Sequence, residues 1–207
     1  MSHLTPERRL RAERTIALYP EPRSALIPLC HLAQEQDGYL SPSAMEEIAS
    51  LIGVTPAEVL GTASFYDMLH TSPVGTYLVS VCTNIACLLA GGDALLRHAE
   101  ETLGISVGET TPDGLFTLED AECLADCDVA PCVQVNHRYV RTTSSDALDE
   151  LLDTLRSGGR TEEIPRHGTL IRVERNGGLH APAGEIAAER AAVRLEIHAR
   201  ADEGTSA

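Results

Sequence analysis

Five of the six cysteines in this 207-residue chain fall between residues 82 and 132. Cys82-Thr-Asn-Ile-Ala-Cys87 is a C-x4-C pair placed directly after the apolar run Tyr77-Leu-Val-Ser-Val81. Cys123-Leu-Ala-Asp-Cys127 is a C-x3-C pair. Thiolates bind soft and borderline metals, so metal binding is the first chemistry to test. Zinc knuckles most often use C-x2-C, and a redox dithiol needs C-x-x-C; neither spacing occurs here. The C-x4-C-x2-C spacing of plant-type ferredoxins does not fit either. Wider gaps suit a two-iron cluster in which each pair holds one iron. Spacing alone leaves three readings open: a 2Fe–2S cluster, which is preferred, a zinc site, and unligated or disulfide-bonded cysteines. Cys132 stands in C-x4-C relation to Cys127, but it follows Pro131 and begins an apolar run, so it reads as a buried structural thiol. Cys30, among Leu26, Ile27, Leu29 and Leu32, reads as core.

The pairs can share one centre only if the fold brings them together. Thirty-five residues separate Cys87 from Cys123, enough for one helix and one strand. Neighbouring strands lie about 5 Å apart, so loops leaving two such strands can meet at one sheet edge. The pattern supplies these elements. Tyr77–Val81 reads as a buried strand ending at Cys82. Ala94–Leu103 reads as a helix after Gly91-Gly92-Asp93, and Leu115–Glu119 as a strand. Cys132–Val135 and Arg138–Arg141 flank Asn136-His137 as a hairpin. Ser145–Ser157 is a helix with Leu148, Leu151, Leu152 and Leu155 on one stripe. One parallel crossover plus an antiparallel hairpin gives a thioredoxin-like α/β layout.

The first 75 residues read instead as short helices with no strand alternation. Glu7–Tyr19 opens the series and Ser24–Gln36 follows, ended by Gly38. Ser43-Ala-Met-Glu46 and Thr55-Pro-Ala-Glu58 fit capping boxes. The expected organisation is a helical bundle over 1–75, a thioredoxin-like domain over 76–160 and a weakly structured extension over 161–207. In that extension Thr169–Glu174 reads as extended and Glu185–Arg200 as a short helix.

The formal net charge is −15, which argues against a duplex-DNA binder, since phosphate contacts need a basic face. All sixteen basic residues are Arg. Residues 76–160 hold five Arg against fourteen acids, so the cysteine-bearing third is the acidic one. Mean hydropathy is near zero and no apolar run approaches a membrane span. The start, Met-Ser-His, lacks a secretory pattern. Without export, the cysteines read as ligands or redox groups rather than a disulfide frame.

Several separated motifs, in order, carry a family resemblance. They are Ala25-Leu-Ile-Pro-Leu, His31-Leu-Ala-Gln-Glu-Gln-Asp-Gly-Tyr-Leu40, Ala63-Ser-Phe-Tyr66, Val81-Cys-Thr-Asn-Ile-Ala-Cys87, Glu122-Cys-Leu-Ala-Asp-Cys127 and Ala130-Pro-Cys-Val-Gln-Val-Asn136. Over about residues 14–157 the chain resembles the 24-kDa, thioredoxin-like 2Fe–2S subunit of NADH–quinone oxidoreductase, respiratory complex I. The resemblance implies one 2Fe–2S cluster held by Cys82, Cys87, Cys123 and Cys127. It also implies a partner subunit that binds FMN and NADH, other peripheral-arm subunits, and a cytoplasmic location peripheral to the cell membrane. The equivalent subunit of an NAD-linked hydrogenase or formate dehydrogenase is a close alternative, and a zinc-stabilised interaction module a more distant one. Two departures stand out. Ala125 replaces the family's usual Gly after Cys-Leu, and Cys132 replaces a usual aliphatic residue.

The chain has no G-x-G-x-x-G after a strand, so nucleotide chemistry is expected on a partner. Phe65, Tyr66 and Met68 are candidates for that contact, with ordinary core packing the preferred reading. His31, His70, His98 and His137 read as surface or core residues rather than ligands.

A 2Fe–2S centre with four thiolates is formally dianionic when oxidised and trianionic when reduced. Glu119, Asp120, Glu122, Asp126 and Asp128 crowd the second pair and oppose the added electron, which predicts a low reduction potential. Replacing Asp126 and Asp128 together by Asn is expected to raise the midpoint potential in a redox titration. An unmoved midpoint would mean that salt screens these carboxylates from the cluster.

Overall fold

The structure, a computed structural model, describes residues 3–161 and 163–169. The expected strand after Thr169, the expected helix over 185–200 and most of the 161–207 extension lie outside the described residues.

The head is built from four helices: α1 (Pro6–Ile16), α2 (Leu26–Asp37), α3 (Pro42–Ile52) and α4 (Pro56–Ala63). Their starts follow one local rule. Thr5, Ser41 and Thr55 are N-caps, and Pro occupies the first helical turn of α1, α3 and α4. Proline costs nothing there, because its missing N–H would have no helical partner. Thr55 and Glu58 form the expected reciprocal capping box. The expected Ser43 cap is corrected to Ser41, whose hydroxyl accepts from the Ala44 N–H at 3.2 Å. Ser43 Oγ meets the His3 ring at 3.0 Å instead. The extended helix expected from Ser24 is also divided, a 3-10 turn over Pro22–Ala25 preceding α2. Leu29, Ala33, Leu40, Ile48, Val59, Ala63 and Cys30 form the core of this head. Burial there pushes the Cys30 thiol up to about 12, which suits the core role expected of it.

The rest of the described chain is β1 (Tyr77–Cys82), α5 (Ile85–Leu89), α6 (Gly92–Leu103), β2 (Phe116–Ala121), β3 (Val133–Val135), β4 (Arg138–Val140) and α7 (Ser145–Arg156). The sheet order is β2-β1-β3-β4. β1 pairs parallel with β2 and antiparallel with β3, and β3 pairs antiparallel with β4. Asn136 and His137 make the tight turn between β3 and β4 with φ of 50° and 62°, the left-handed pair that a two-residue hairpin of matching twist requires.

β1 is buried along its whole length, as a central strand must be. Tyr77, Val79 and Val81 face a core shared with Phe116, Leu118, Leu95 and Ala99 and with Leu148, Leu152 and Leu155 of α7. The His98 Nε2–Asp149 Oδ1 contact, at 2.8 Å, ties α6 to α7. The alternate residues of β1 are Leu78, Ser80 and Cys82. Ser80 donates to Glu119 Oε1 at 2.6 Å across the strand pair.

Residues 164–169 clasp the other end of β1. Ile164 is buried, and the His167 N–H donates to the Thr76 carbonyl at 2.8 Å. The Asn136 side chain accepts from the Leu78 N–H at 2.7 Å and donates to the carbonyls of Thr76 and Pro165. Three imidazoles collect beside this clasp. The His70 and His167 rings meet edge-on at 4.8 Å, and His137 lies 6.5 Å from His167. Sequence spacing gives no hint of this group, because its members stand at positions 70, 137 and 167. Burial, then the neighbouring His137 charge, pushes His70 down to about 4, against an opposing pull from Asp67. Burial, then His70 and His137, pushes His167 down to about 4, with the Gly38 backbone opposing. Burial, then His31, lowers His137 as well.

These groups fold as neutral rings, whereas the unfolded chain protonates them near their ordinary value of 6.5. Between those values the unfolded state binds more protons, so stability falls as pH drops from about 6.5 towards 4. The urea midpoint is expected to be lower at pH 5.5 than at pH 7.5. That gap is expected to narrow in the double variant His70→Asn, His167→Asn.

Candidate metal centre

The two cysteine pairs occupy loops that leave β1 and β2 at the same edge of the sheet. The parallel register sets Cys82 opposite Ala121, and the pairing continues one step further as the Thr83 N–H donates to the Ala121 carbonyl at 2.9 Å. Cys123 therefore follows two residues beyond the end of the ladder. Cys82 Sγ lies 3.8 Å from the Glu122 carbonyl, so the second loop passes directly over the first pair.

Cys87 is returned towards Cys82 by α5, a helix too short to show periodicity and unforeseen in the sequence. Asn84 caps it, accepting from the Ile85 N–H at 2.7 Å. α6 then starts immediately beneath. A Cβ on Gly92 would lie 2.6 Å from the Cys82 carbonyl oxygen and 2.8 Å from that of Cys87. Only glycine lets the start of α6 approach both cysteine backbones so closely.

The second pair sits in a looser segment. Ala125 has φ of 60°, a left-handed conformation that costs a residue with a Cβ about 1–2 kcal/mol. Glycine takes this conformation without that cost, so Ala125 bears strain at the position where the resemblance implies Gly. A single 3-10 turn, Cys127–Val129, follows. The Tyr139 hydroxyl of β4 donates to the Leu124 carbonyl and ties the loop to the far edge strand.

Cys82 and Cys87 are each 2% exposed and pack with Cys132 in one buried group, flanked by Leu124 and Ala130. Cys123 and Cys127 are exposed. Burial raises the Cys82 thiol, but the backbone N–H groups of Leu124 and Asn84, with the Cys87 thiol, outweigh it and hold Cys82 below its ordinary value. Cys87 lies above its ordinary value because burial and the Cys82 and Cys127 sulfurs oppose a second thiolate, while the Cys132 N–H pulls the other way. Cys132 is pushed up to about 11 by burial, then by Asp126 and the sulfurs of Cys87, Cys82 and Cys127. Cys82, Cys87 and Cys127 thus fall within one electrostatic neighbourhood, and Cys123 lies on the loop above it. Among the described residues no three His, Cys, Asp or Glu side chains are grouped as the ligands of a single metal ion would be.

The donor set fits a two-iron cluster. Four thiols sit on two adjacent loops, and backbone N–H groups are already directed at the sulfurs of the buried pair, as anionic thiolates require. Beside Cys123 an open cavity of about 840 Å³ is lined by Asp67, His70, Glu119, Asp120 and Glu122. Burial raises the Glu119 carboxyl there, with Asp67 and Asp120 adding to the effect and the Ser80 hydroxyl opposing it.

Phe65, Tyr66 and Met68 are 76%, 40% and 48% exposed, which corrects the core-packing expectation. Their segment is held by its backbone: Gln34 Nε2 donates to the Met68 carbonyl at 2.7 Å, and the His70 N–H donates to Gln34 Oε1. The side chains are thereby free to face outward. Of the histidines read as surface or core, the half-buried His70 and His137 stand with the buried His167 by the clasp, and His98 pairs with Asp149 on α7.

Gly92→Ala is expected to lower stability by about 1–3 kcal/mol, the usual cost of overpacking against backbone that cannot move. Measured urea unfolding of the variant checks this, and reconstituted iron per chain is expected to fall with it.

The family model for the thioredoxin-like [2Fe-2S] ferredoxin matches residues 12–156. NADH-quinone oxidoreductase subunit 2 of Thermus thermophilus is 45% identical over 159 residues, covering 75% of this chain and 88% of that protein. An E-type NADH-quinone oxidoreductase subunit of Rhizobium meliloti is 42% identical over 154 residues, covering 74% and 92%. Among solved structures, an NAD+-reducing [NiFe]-hydrogenase matches with a TM-score of 0.60 at 23% identity, over 68% of this chain and 24% of that one; this likeness concerns the fold alone. The chain belongs to the thioredoxin-like [2Fe–2S] ferredoxin family, and its cofactor is a 2Fe–2S cluster.

Proposed function

We propose that this chain is the electron-carrying 2Fe–2S subunit of an NADH–quinone oxidoreductase, with Cys82, Cys87, Cys123 and Cys127 as the cluster ligands. The carrying observation is the parallel β1–β2 register, which delivers both cysteine pairs to one edge of the sheet. Relatives that share over 40% of their residues across nearly their whole length bear the name of that enzyme's subunit.

The cluster supplies one-electron transfer. The chain's own residues set the conditions for it. The N–H groups of Leu124 and Asn84 face Cys82, and that of Cys132 faces Cys87. Each stabilises sulfur-borne negative charge. The acids of the second loop oppose further charge and hold the potential low. The buried pair keeps one side of the centre dry, while the exposed pair leaves the other side open to a redox partner.

That partner is the subunit that binds FMN and NADH, since this sequence lacks a dinucleotide fingerprint. The exposed Phe65, Tyr66 and Met68 supply an apolar docking surface on the head, and other peripheral-arm subunits complete the assembly. Among the described residues no helix is long and apolar enough to cross a membrane. The proposed role puts the protein on the cytoplasmic side, attached to the membrane through the complex. The proposed division is a helical head over 1–75 and a thioredoxin-like domain from 76, which the buried Ile164 and the His167–Thr76 hydrogen bond carry past the expected boundary at 160. Separate cores over Leu4–Leu69 and Tyr77–Ile164 support its first boundary.

The chain purified anaerobically is expected to be red-brown, with about two irons and two sulfides per chain and an EPR signal after dithionite reduction. Each single Cys→Ser change at 82, 87, 123 or 127 is expected to shift that signal or abolish the cluster. A colourless chain that takes up zinc and refuses iron and sulfide would overturn the proposal.

A further inference from the structure

The edge that gathers the four proposed ligands holds a fifth sulfur. Cys132 is 3% exposed and packs with Cys82 and Cys87. Its backbone serves both of them. The Cys132 carbonyl accepts from the Cys82 N–H at 2.9 Å, and the Cys132 N–H is directed at the Cys87 sulfur. Residue 132 is thereby anchored to the end of β1, where the β1–β3 ladder begins. The Cys123 and Cys127 thiols, by contrast, ride an exposed loop.

We propose that Cys132 is a positioning residue of the centre rather than a fifth ligand: its S–H donates a hydrogen bond to sulfur on the Cys82–Cys87 side of the cluster and raises the midpoint potential. This rests on the cluster assignment made above.

The physical case has three parts. A thiol is a weak donor, but a hydrogen bond strengthens in a dry site of low dielectric, and this pocket is closed to solvent. Reduction adds negative charge that spreads over the cluster sulfurs, so a donor aimed at sulfur stabilises the reduced form more than the oxidised one. A ligand role would instead leave one of the four loop thiols without a place, since a two-iron cluster takes four thiolates. Cys132 therefore counters the acids of the second loop. The same centre carries a donor within and negative charge without.

The test uses the cluster-loaded chain and three variants. Cys132→Val fills the volume without a donor, Cys132→Ala removes both, and Cys132→Ser keeps a donor. Iron and sulfide per chain, EPR line shape and midpoint potential are measured for each. Wild type and all three variants are expected to hold the same cluster. Val and Ala are expected to shift the midpoint to more negative values, while Ser stays at or above wild type. An unmoved midpoint in Val, or equal shifts in Val and Ser, overturns the proposal and leaves packing as the role of Cys132. Loss of the cluster from both Val and Ala also overturns it and makes Cys132 a ligand. A wild-type chain without any cluster would instead sink the cluster assignment on which the inference rests.

Discussion

Two cysteine pairs far apart in sequence can serve one centre only if the strands leading into them run side by side in the same direction. An antiparallel pair would send the two loops to opposite ends of the sheet. The β1–β2 ladder is therefore the constraint on which the rest of the structure depends. A parallel pair needs a crossover of a dozen or more residues, and α6 supplies it. Gly92 lets α6 begin directly beneath the first cysteine pair, so the crossover packs against the strand it has just left. α7 and the hairpin complete a core around β1, whose burial on both faces leaves it little freedom to slip. A one-residue slip would turn Val79 and Val81 out of the core, and it would also separate Cys82 from the second loop.

Placed this way, the site has two unlike halves. The pair from β1 is buried and receives backbone N–H groups. The pair from β2 is exposed, carried on a loop with a left-handed Ala125, and surrounded by carboxylates. Both pairs are thiols, so environment rather than side-chain chemistry separates them. The half nearest the core is held by elements that cannot move without breaking the sheet. The outer half is held by the Tyr139–Leu124 bond and by its own turns.

Local chemistry made much of this readable. Pro56 marked a helix start, and Thr55 with Glu58 announced its reciprocal cap. Asn136-His137 between two apolar runs announced a tight hairpin. The leucine stripe of α7 was visible because 3.6-residue periodicity survives over three turns. What escaped lacks a local signature. Ser41 and Ser43 both look like caps and both reach the His3 ring, and only the Ala44 N–H, whose hydrogen bond Ser41 accepts, separates them. The five residues of α5 are too few to display a period. Phe65 and Tyr66 carry the composition of a core but belong to a segment fixed through its backbone. The imidazoles at 70, 137 and 167 meet only because three unrelated segments converge. Cysteine spacing narrowed the cofactor and motif order pointed to the family, while the contact of Cys132 with the first pair needed three dimensions.

The clasp and the metal edge lie at opposite ends of β1, and the chain reaches them at different times. Every cysteine at the metal edge has been synthesised by residue 132, and the Tyr139 hydroxyl that steadies the second loop follows soon after. The clasp waits for Ile164, Pro165 and His167. Because folding during synthesis proceeds from the N-terminus, a nascent chain can close its thiol-bearing edge while the opposite end of the strand still lacks its last hydrogen bonds. A ribosome-bound intermediate would already present the full set of sulfurs.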